Sequence, residues 1–328
     1  MKSLSLLLAS WALFGASAAS AAPAVVVSIK PIHSLVASIM KGVGEPTLIV
    51  EGAASPHTFT MRPSNARAVE AADIVFWMGP GMEAFLEKPL QALASDARTV
   101  RLDSVEGLQK LPFREGGAFE AHDHGEGPDH SHDDGEASEE GHEHAHDDDD
   151  HHHHGEFDTH LWLDPANAKL MAAAIERSLA EADPENASAY AANLSALTSR
   201  IDALDREIAD TVAPVKDKPF IVFHDAYQYF EHHYGVRVAG SITVSPDVMP
   251  GAERVTEIQN KVKELGATCV FAEPQFEPKL IQVVTEGTAA KSGTLDPEGG
   301  ALTEGPDLYF ELMRSLATNL SECLGSGD

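Results

Sequence analysis

The stretch PENASAYAANLSALTSRIDALDREIADTV, residues 184–212, decides how the rest of the chain is divided. Tyr190, Leu194, Leu197, Ile201, Leu204, Ile208 and Val212 recur at spacings of three and four, which places them on one continuous stripe of an α-helix. At a rise of 1.5 Å per residue the rod spans about 40 Å, longer than most helices that serve within one domain. It is preceded by a Pro-initiated break at Asp183-Pro184. On each side of it the sequence has the same rhythm, short apolar runs alternating with helical ones, so the rod is expected to brace two lobes. A plain surface helix is the alternative.

Before the rod, VVVSI begins at Val25 as a buried strand and IHSLVASIMKGV reads as an amphipathic helix. PTLIVEGA reads as a strand, SPHTFTMRPSNARAVEAA as a polar loop, ADIVFWMG as a strand, GMEAFLEKPLQAL as a helix and ARTVRLDSV as a strand. HLWLDP is expected to form a strand and turn, and ANAKLMAAAIERSLAEA a helix. After the rod come KPFIVFHDA (strand and loop), AYQYFEHHYG (helix), VRVAGSI (strand) and GAERVTEIQNKVKELG (helix). ATCVFAEPQF (strand and loop), PKLIQVVTEGTAA (helix), KSGTLDP (loop) and DLYFELMRSLATNLSECL (closing helix) complete the chain. Strands alternating with helices predict parallel-rich sheets flanked by helices, with ligands in a cleft at the strand ends. The fold class is therefore α/β, two similar lobes bridged by one long rigid helix. The expected divisions are a leader over residues 1–21, a first lobe over 22–183, the bridge over 184–213 and a second lobe over 214–328.

The leader reading rests on Lys2, an apolar run from Leu4 to Phe14 and an Ala19-Ser20-Ala21 cleavage pattern. The run is too short to cross a bilayer, so export to the periplasm as a soluble protein is expected. In an oxidising compartment the chain's two cysteines, Cys269 and Cys323, read as a disulfide, with two unpaired thiols as the alternative. A net charge of −29 argues against a nucleic-acid partner.

Much of that charge lies in residues 119–156, where apolar periodicity stops and Asp, Glu, His, Gly and Ser take over. This composition predicts a disordered loop. Its eleven histidines, His122, His124, His130, His132, His142, His144, His146, His151, His152, His153 and His154, are metal ligands on a floppy chain. Ordering them costs entropy, so they are expected to form auxiliary, low-affinity sites. Six histidines lie elsewhere. His57 follows a strand, His160 opens or precedes the strand HLWL and His224 ends FIVF, all at strand edges where a cleft is lined. Three neutral imidazoles suit a borderline divalent ion such as Zn2+, with one coordination position left. Asp296 is the preferred candidate for it; water is an alternative, and Glu273 is ranked below both. Either carboxylate could instead orient an imidazole N–H. His33, His232 and His233 are read as structural or exposed.

Taken in order, SPHTFTMRPSNARAVEAADIVFWMGPGMEAFLE, THLWLDP, VFHDAYQYFE, VFAEPQF and GTLDP resemble the cluster A-I metal solute-binding proteins. Within that cluster they are most similar to the periplasmic zinc-binding components of high-affinity zinc ABC transporters. The resemblance covers essentially the whole chain after the leader. It implies a Zn2+ cargo, a metal site of His57, His160 and His224 in the cleft between lobes, and a disulfide in the C-terminal lobe. It also implies a membrane permease with a cytoplasmic ATPase as partner, and a monomer that is not an enzyme. One departure is Pro56, where some zinc members carry Glu before the first ligand. A periplasmic zinc-dependent hydrolase, with Glu273 as general base, and a zinc buffer without a permease are the other readings. No HExxH signature favours the hydrolase.

Overall fold

The computed structural model describes residues 22–114, 119, 157–243, 250–266, 268–276 and 279–325. The expected leader and the auxiliary histidines from His122 to His154 lie outside these residues.

In the first lobe β1 (Val25–Val27), β2 (Thr47–Leu48), β3 (Ile74–Trp77) and β4 (Arg98–Arg101) form a parallel sheet in the order β2-β1-β3-β4. β1 and β3 are buried along their whole length, as the unbroken apolar runs VVV and IVFW require when both faces are covered. The crossovers carry α1 (Lys30–Ile39), α2 (Pro63–Glu70) and α3 (Ala84–Leu93). α2 corrects the reading of this segment as loop. Pro63 sits in its first turn and Asn65 Oδ1 accepts from the Arg62 N–H (3.0 Å), but only Asn65 and Val69 are buried. Two turns with one apolar anchor leave no periodicity to read.

HLWL is likewise not a strand. Leu161–Leu163 form a 3₁₀ turn, and all three side chains are fully buried. A short apolar run enclosed on every side carries no period that separates strand from helix. Asp164 then caps α4 (Pro165–Ala182), its carboxylate accepting from the Ala166 N–H at 2.8 Å. A 3₁₀ turn, Pro184–Asn186, leads into α5 (Ala187–Val212), the rod.

The second lobe repeats the first. β5 (Pro219–His224), β6 (Arg237–Thr243), β7 (Cys269–Ala272) and β8 (Lys291–Thr294) are parallel in the order β6-β5-β7-β8, again with the second strand outermost and the first beside it. Its helices are α6 (Gln228–Tyr234), α7 (Ala252–Leu265), α8 (Lys279–Thr285) and α9 (Leu308–Gly325). β8 occupies part of KSGTLDP, expected as loop. It is a polar edge strand, and a Cβ on its Gly293 would come within 2.5 Å of the Phe271 ring. Cys269 and Cys323 form a disulfide joining β7 to α9.

α5 buries Tyr190, Leu197, Ile201, Leu204, Ile208 and Val212 and partly buries Leu194. It packs on α1, α4, α6 and α9, so it touches both halves of the chain. One apolar core runs from the first sheet through these helices to Phe220, Val222 and Phe271 on the near face of the second sheet. The far face, with Ile221, Phe223 and Val270, packs separately against Ile258, Val262, Ile281 and Val284. A polar seam reinforces the junction. Lys30, Ser34 and Ser38, one helical turn apart on α1, bind the start of α9 and the segment before it: Lys30 Nζ donates to the carbonyls of Gly300 and Leu302 (both 3.0 Å). Ser34 Oγ accepts from the Tyr309 N–H and Ser38 Oγ donates to the Pro306 carbonyl, each at 3.0 Å.

Glu83, at the start of α3, is fully buried and ties two strand ends together. Ser28 Oγ, the Met78 N–H (3.1 Å) and the Gly79 N–H (3.0 Å) all donate to it. Burial raises its pKa to about 7 against these hydrogen bonds, which favour the charged form.

Two outcomes follow from this packing. Leu204→Ala is expected to lower the unfolding free energy by about 2–5 kcal/mol, read by urea denaturation, because the cavity opens between the lobes. The folded chain holds a proton on Glu83 that the unfolded chain has lost between pH 4.5 and about 7. That contribution is complete below the lower value and lost as pH rises through the upper one, on the order of 3 kcal/mol. Glu83→Gln is expected to flatten the stability profile across that window.

Candidate metal centre

The three histidines reach one point from different local structures. His224 is the last residue of β5, His57 lies in the turn region beyond β2, and His160 opens the 3₁₀ turn ahead of α4. One ring nitrogen from each lies within 4.8 Å of those of the other two. Ring centroids are 5.5 Å apart for His57–His160, 5.9 Å for His57–His224 and 5.2 Å for His160–His224. The Nε2 atoms of His160 and His224 are 3.4 Å apart. Four ligands about 2.05 Å from a tetrahedral ion stand about 3.3 Å from one another, so this spacing matches zinc–imidazole bond lengths. His160 and His224 are buried and His57 is half-buried, which makes His57 the solvent-side member. Trp162 lies tilted against His160 (5.3 Å), and Phe276 (6.2 Å) and Tyr227 (6.5 Å) flank His224. The result is an aromatic wall of low dielectric.

Two buried carboxylates hold the two buried rings. Asp158 Oδ1 lies 2.7 Å from His160 Nδ1 and also accepts from the His160 backbone N–H at 3.0 Å. Glu273 Oε1 lies 2.7 Å from His224 Nδ1 and accepts from the His224 N–H at 3.3 Å. Burial, with the nearby His224, holds the His160 pKa well below its ordinary value, so the ring is neutral and able to ligate. Burial pushes Asp158 up to about 7. Burial also opposes charge on His224, but Glu273, Asp158 and Asp225 outweigh it and raise that pKa.

Arg114 binds this wall from the first lobe. Its guanidinium pairs with Asp225, next to His224, and with Glu231. The Asp158 N–H donates to the Leu111 carbonyl (2.9 Å), so the chain leaves for residues 115–156 and returns from them beside the histidines.

The other candidates are placed elsewhere. Among the described residues no carboxylate joins the three nitrogens within the same 4.8 Å. Asp296 Oδ1 accepts from Gln275 Nε2 (2.8 Å) and from the N–H groups of Gly299 (2.9 Å) and Glu298 (3.2 Å). Glu273 faces the back of His224. His33 is buried on α1 against the Pro46 carbonyl (3.1 Å), His232 contacts Gln109, and His233 lies between Asp164 (3.1 Å) and Asp205 (2.8 Å). Asp158 is the residue that sequence reasoning missed. Its signal was present in FDTHLW, a carboxylate two residues before a candidate ligand.

Comparison with known proteins agrees with the fold. The family model described as zinc-uptake complex component A, periplasmic, matches residues 25–323. The chain is 57% identical over 314 residues, 94% of each chain, to the high-affinity zinc uptake system protein ZnuA of Brucella abortus (strain 2308). It is 38% identical over 305 residues to the protein of the same name from Yersinia pestis, covering 93% of this chain and 92% of that one. Among solved structures it superposes on a ZnuA crystal structure with a TM-score of 0.71 at 24% identity, covering 92% of this chain and 99% of the other. The periplasmic zinc binding protein TroA of Treponema pallidum gives 0.73 at 17% identity, over 92% and 99% of the two chains. These two share the two-lobed fold. The chain belongs to the family of the periplasmic component A of zinc-uptake complexes.

Proposed function

We propose that this chain is the periplasmic binding protein of a zinc ABC transporter, taking Zn2+ as cargo on His57, His160 and His224. It then delivers the ion to a membrane permease driven by a cytoplasmic ATPase. The observation that carries this is the convergence of three imidazoles from two lobes, with two Nε2 atoms at 3.4 Å. Residues 1–21 act as the export leader, the chain works as a monomer, and among the described residues no helix is long and apolar enough to cross a membrane. The fourth coordination place goes to water in this reading. Asp296, the other candidate, has its oxygens engaged by Gln275 and loop amides. A binding role is favoured over hydrolysis because Glu273, the carboxylate that would serve as general base, is committed to the Nδ1 side of His224.

The histidines from His122 to His154 act as an auxiliary, weaker zinc-gathering segment. Support comes from the two chain ends at Arg114 and Asp158, which both lie against the metal-site wall.

Zinc competition against a chelator tests the assignment. His160→Ala and His224→Ala are each expected to weaken the tightest site by more than about 100-fold, beyond the 10–100-fold typical of outer partners. His57→Ala should also weaken it, and retention of wild-type affinity in all three overturns the site. Zinc at 100 times its Kd is expected to stabilise the wild type by about 2.7 kcal/mol, seen as a rise in melting temperature. Deleting residues 119–156 should lower the number of ions bound while leaving the tightest site intact. Loss of that site on deletion would overturn the division of labour.

A further inference from the structure

We propose that His233 is a proton-dependent tie between the lobes, an imidazolium on α6 that bridges Asp164 at the start of α4 and Asp205 on the rod, and that releases the bridge when its proton leaves. The tie stands apart from the cleft and does not depend on what the cleft binds.

Geometry carries the assignment. His233 Nε2 lies 2.8 Å from Asp205 Oδ1, and its Nδ1 lies 3.1 Å from Asp164 Oδ1. A neutral imidazole has one N–H and one lone pair, so either neutral tautomer turns a lone pair towards a carboxylate oxygen. Only the ring with hydrogen on both nitrogens meets both acceptors. The three residues come from three elements. Asp164 caps α4 in the first lobe, Asp205 lies on α5, and His233 belongs to α6 of the second lobe. α6 also packs on α5 and on the Leu161–Leu163 turn, so the tie closes by charge a junction that apolar packing already forms. Asp164 is buried, with 4% of its side chain exposed, and a buried carboxylate is costly without a partner. Asp205 is partly exposed, so salt screens that arm of the bridge more than the arm to Asp164.

The groups around the ring are of three kinds. On its own helix Tyr234 lies edge-on to it, with ring centroids 4.7 Å apart, and His232 faces Gln109. From α9, Tyr309 donates to the Trp162 carbonyl at 3.0 Å. Burial holds both phenols above their ordinary range, so they stay neutral. Arg206 on α5 and Lys216 beyond it line the shallow cavity beside the ring and oppose its charge, whereas the two carboxylates touch it. Asp164 and then Asp205 raise the His233 pKa above its ordinary 6.5, against burial. The folded value therefore lies above the unfolded one. The stabilisation is complete below the unfolded value of 6.5 and is lost as pH rises through the folded value.

The test uses the full chain without metal. Nitrogen-15 NMR follows the His233 ring through a pH titration, a readout that needs no variant to fold. The ring is expected to hold hydrogen on both nitrogens at about pH 6 and to titrate above its ordinary value, with a lower pKa in Asp205→Asn. Urea denaturation then compares wild type with His233→Gln. The gap between their midpoints is expected to be widest near pH 6 and to close as pH rises through the NMR value, the other titrating groups being common to both chains. A His233 pKa at or below the ordinary one, or a gap that does not change with pH, overturns the proposal. Double-mutant cycles pair His233→Gln with Asp205→Asn and with Asp164→Asn, which keeps an oxygen for the α4 cap. Coupling to both carboxylates at about pH 6 is the expected result. Coupling to Asp205 alone would reduce the bridge to a surface pair within the rod's reach and defeat the tie between lobes.

Discussion

The candidate metal centre depends on the burial of the α5 stripe against helices of both lobes. His57 and His160 come from one lobe and His224 from the other, and imidazoles ligate productively only when held to within about 0.5 Å of the required geometry. Two sheets joined by a flexible linker could not keep the Nε2 atoms of His160 and His224 at 3.4 Å. Here the apolar core is continuous from Val27 in β1, through Ile201 and Leu204, to Phe220 and Phe271 in the second sheet. Opening the cleft widely would expose that core, at roughly 25 cal/mol for every Å² of apolar surface. The polar seam from Lys30 to Ser38 and the bond from Trp162 Nε1 to the Pro297 carbonyl (2.9 Å) add directional contacts to this non-directional one.

Around the centre the protein accepts groups that would be unfavourable elsewhere. Asp158, Glu273, Glu83 and Glu298 are all buried at or near the lobe junction. Burial, then Asp296, Glu83 and Glu273, holds Glu298 well above the usual carboxylate range, which keeps it neutral. Such a concentration of buried acids lowers stability in exchange for an electrostatic environment suited to a cation.

Much of the architecture was legible along the chain because its signals are local and repeated. The α5 stripe, the alternation of apolar runs with helices, and the strand-end positions of His57 and His224 follow from spacing alone. The misread elements lacked such signals. α2 has two buried side chains, β8 is a polar edge of four residues, and Leu161–Leu163 are buried on all sides. Asp158 was overlooked because a single acid beside a histidine in an acid-rich stretch carries little information until burial singles it out.

The two-lobed α/β plan and the bracing rod are legible in the chain itself, because helix and strand periods are properties of neighbours in sequence. Tertiary contacts are what set Glu273 behind His224 across 49 residues, turn Asp158 onto the neighbouring His160 and bind Asp296 into its own loop. Those outcomes depend on side-chain positions held to within about 0.5 Å, and packing sets them.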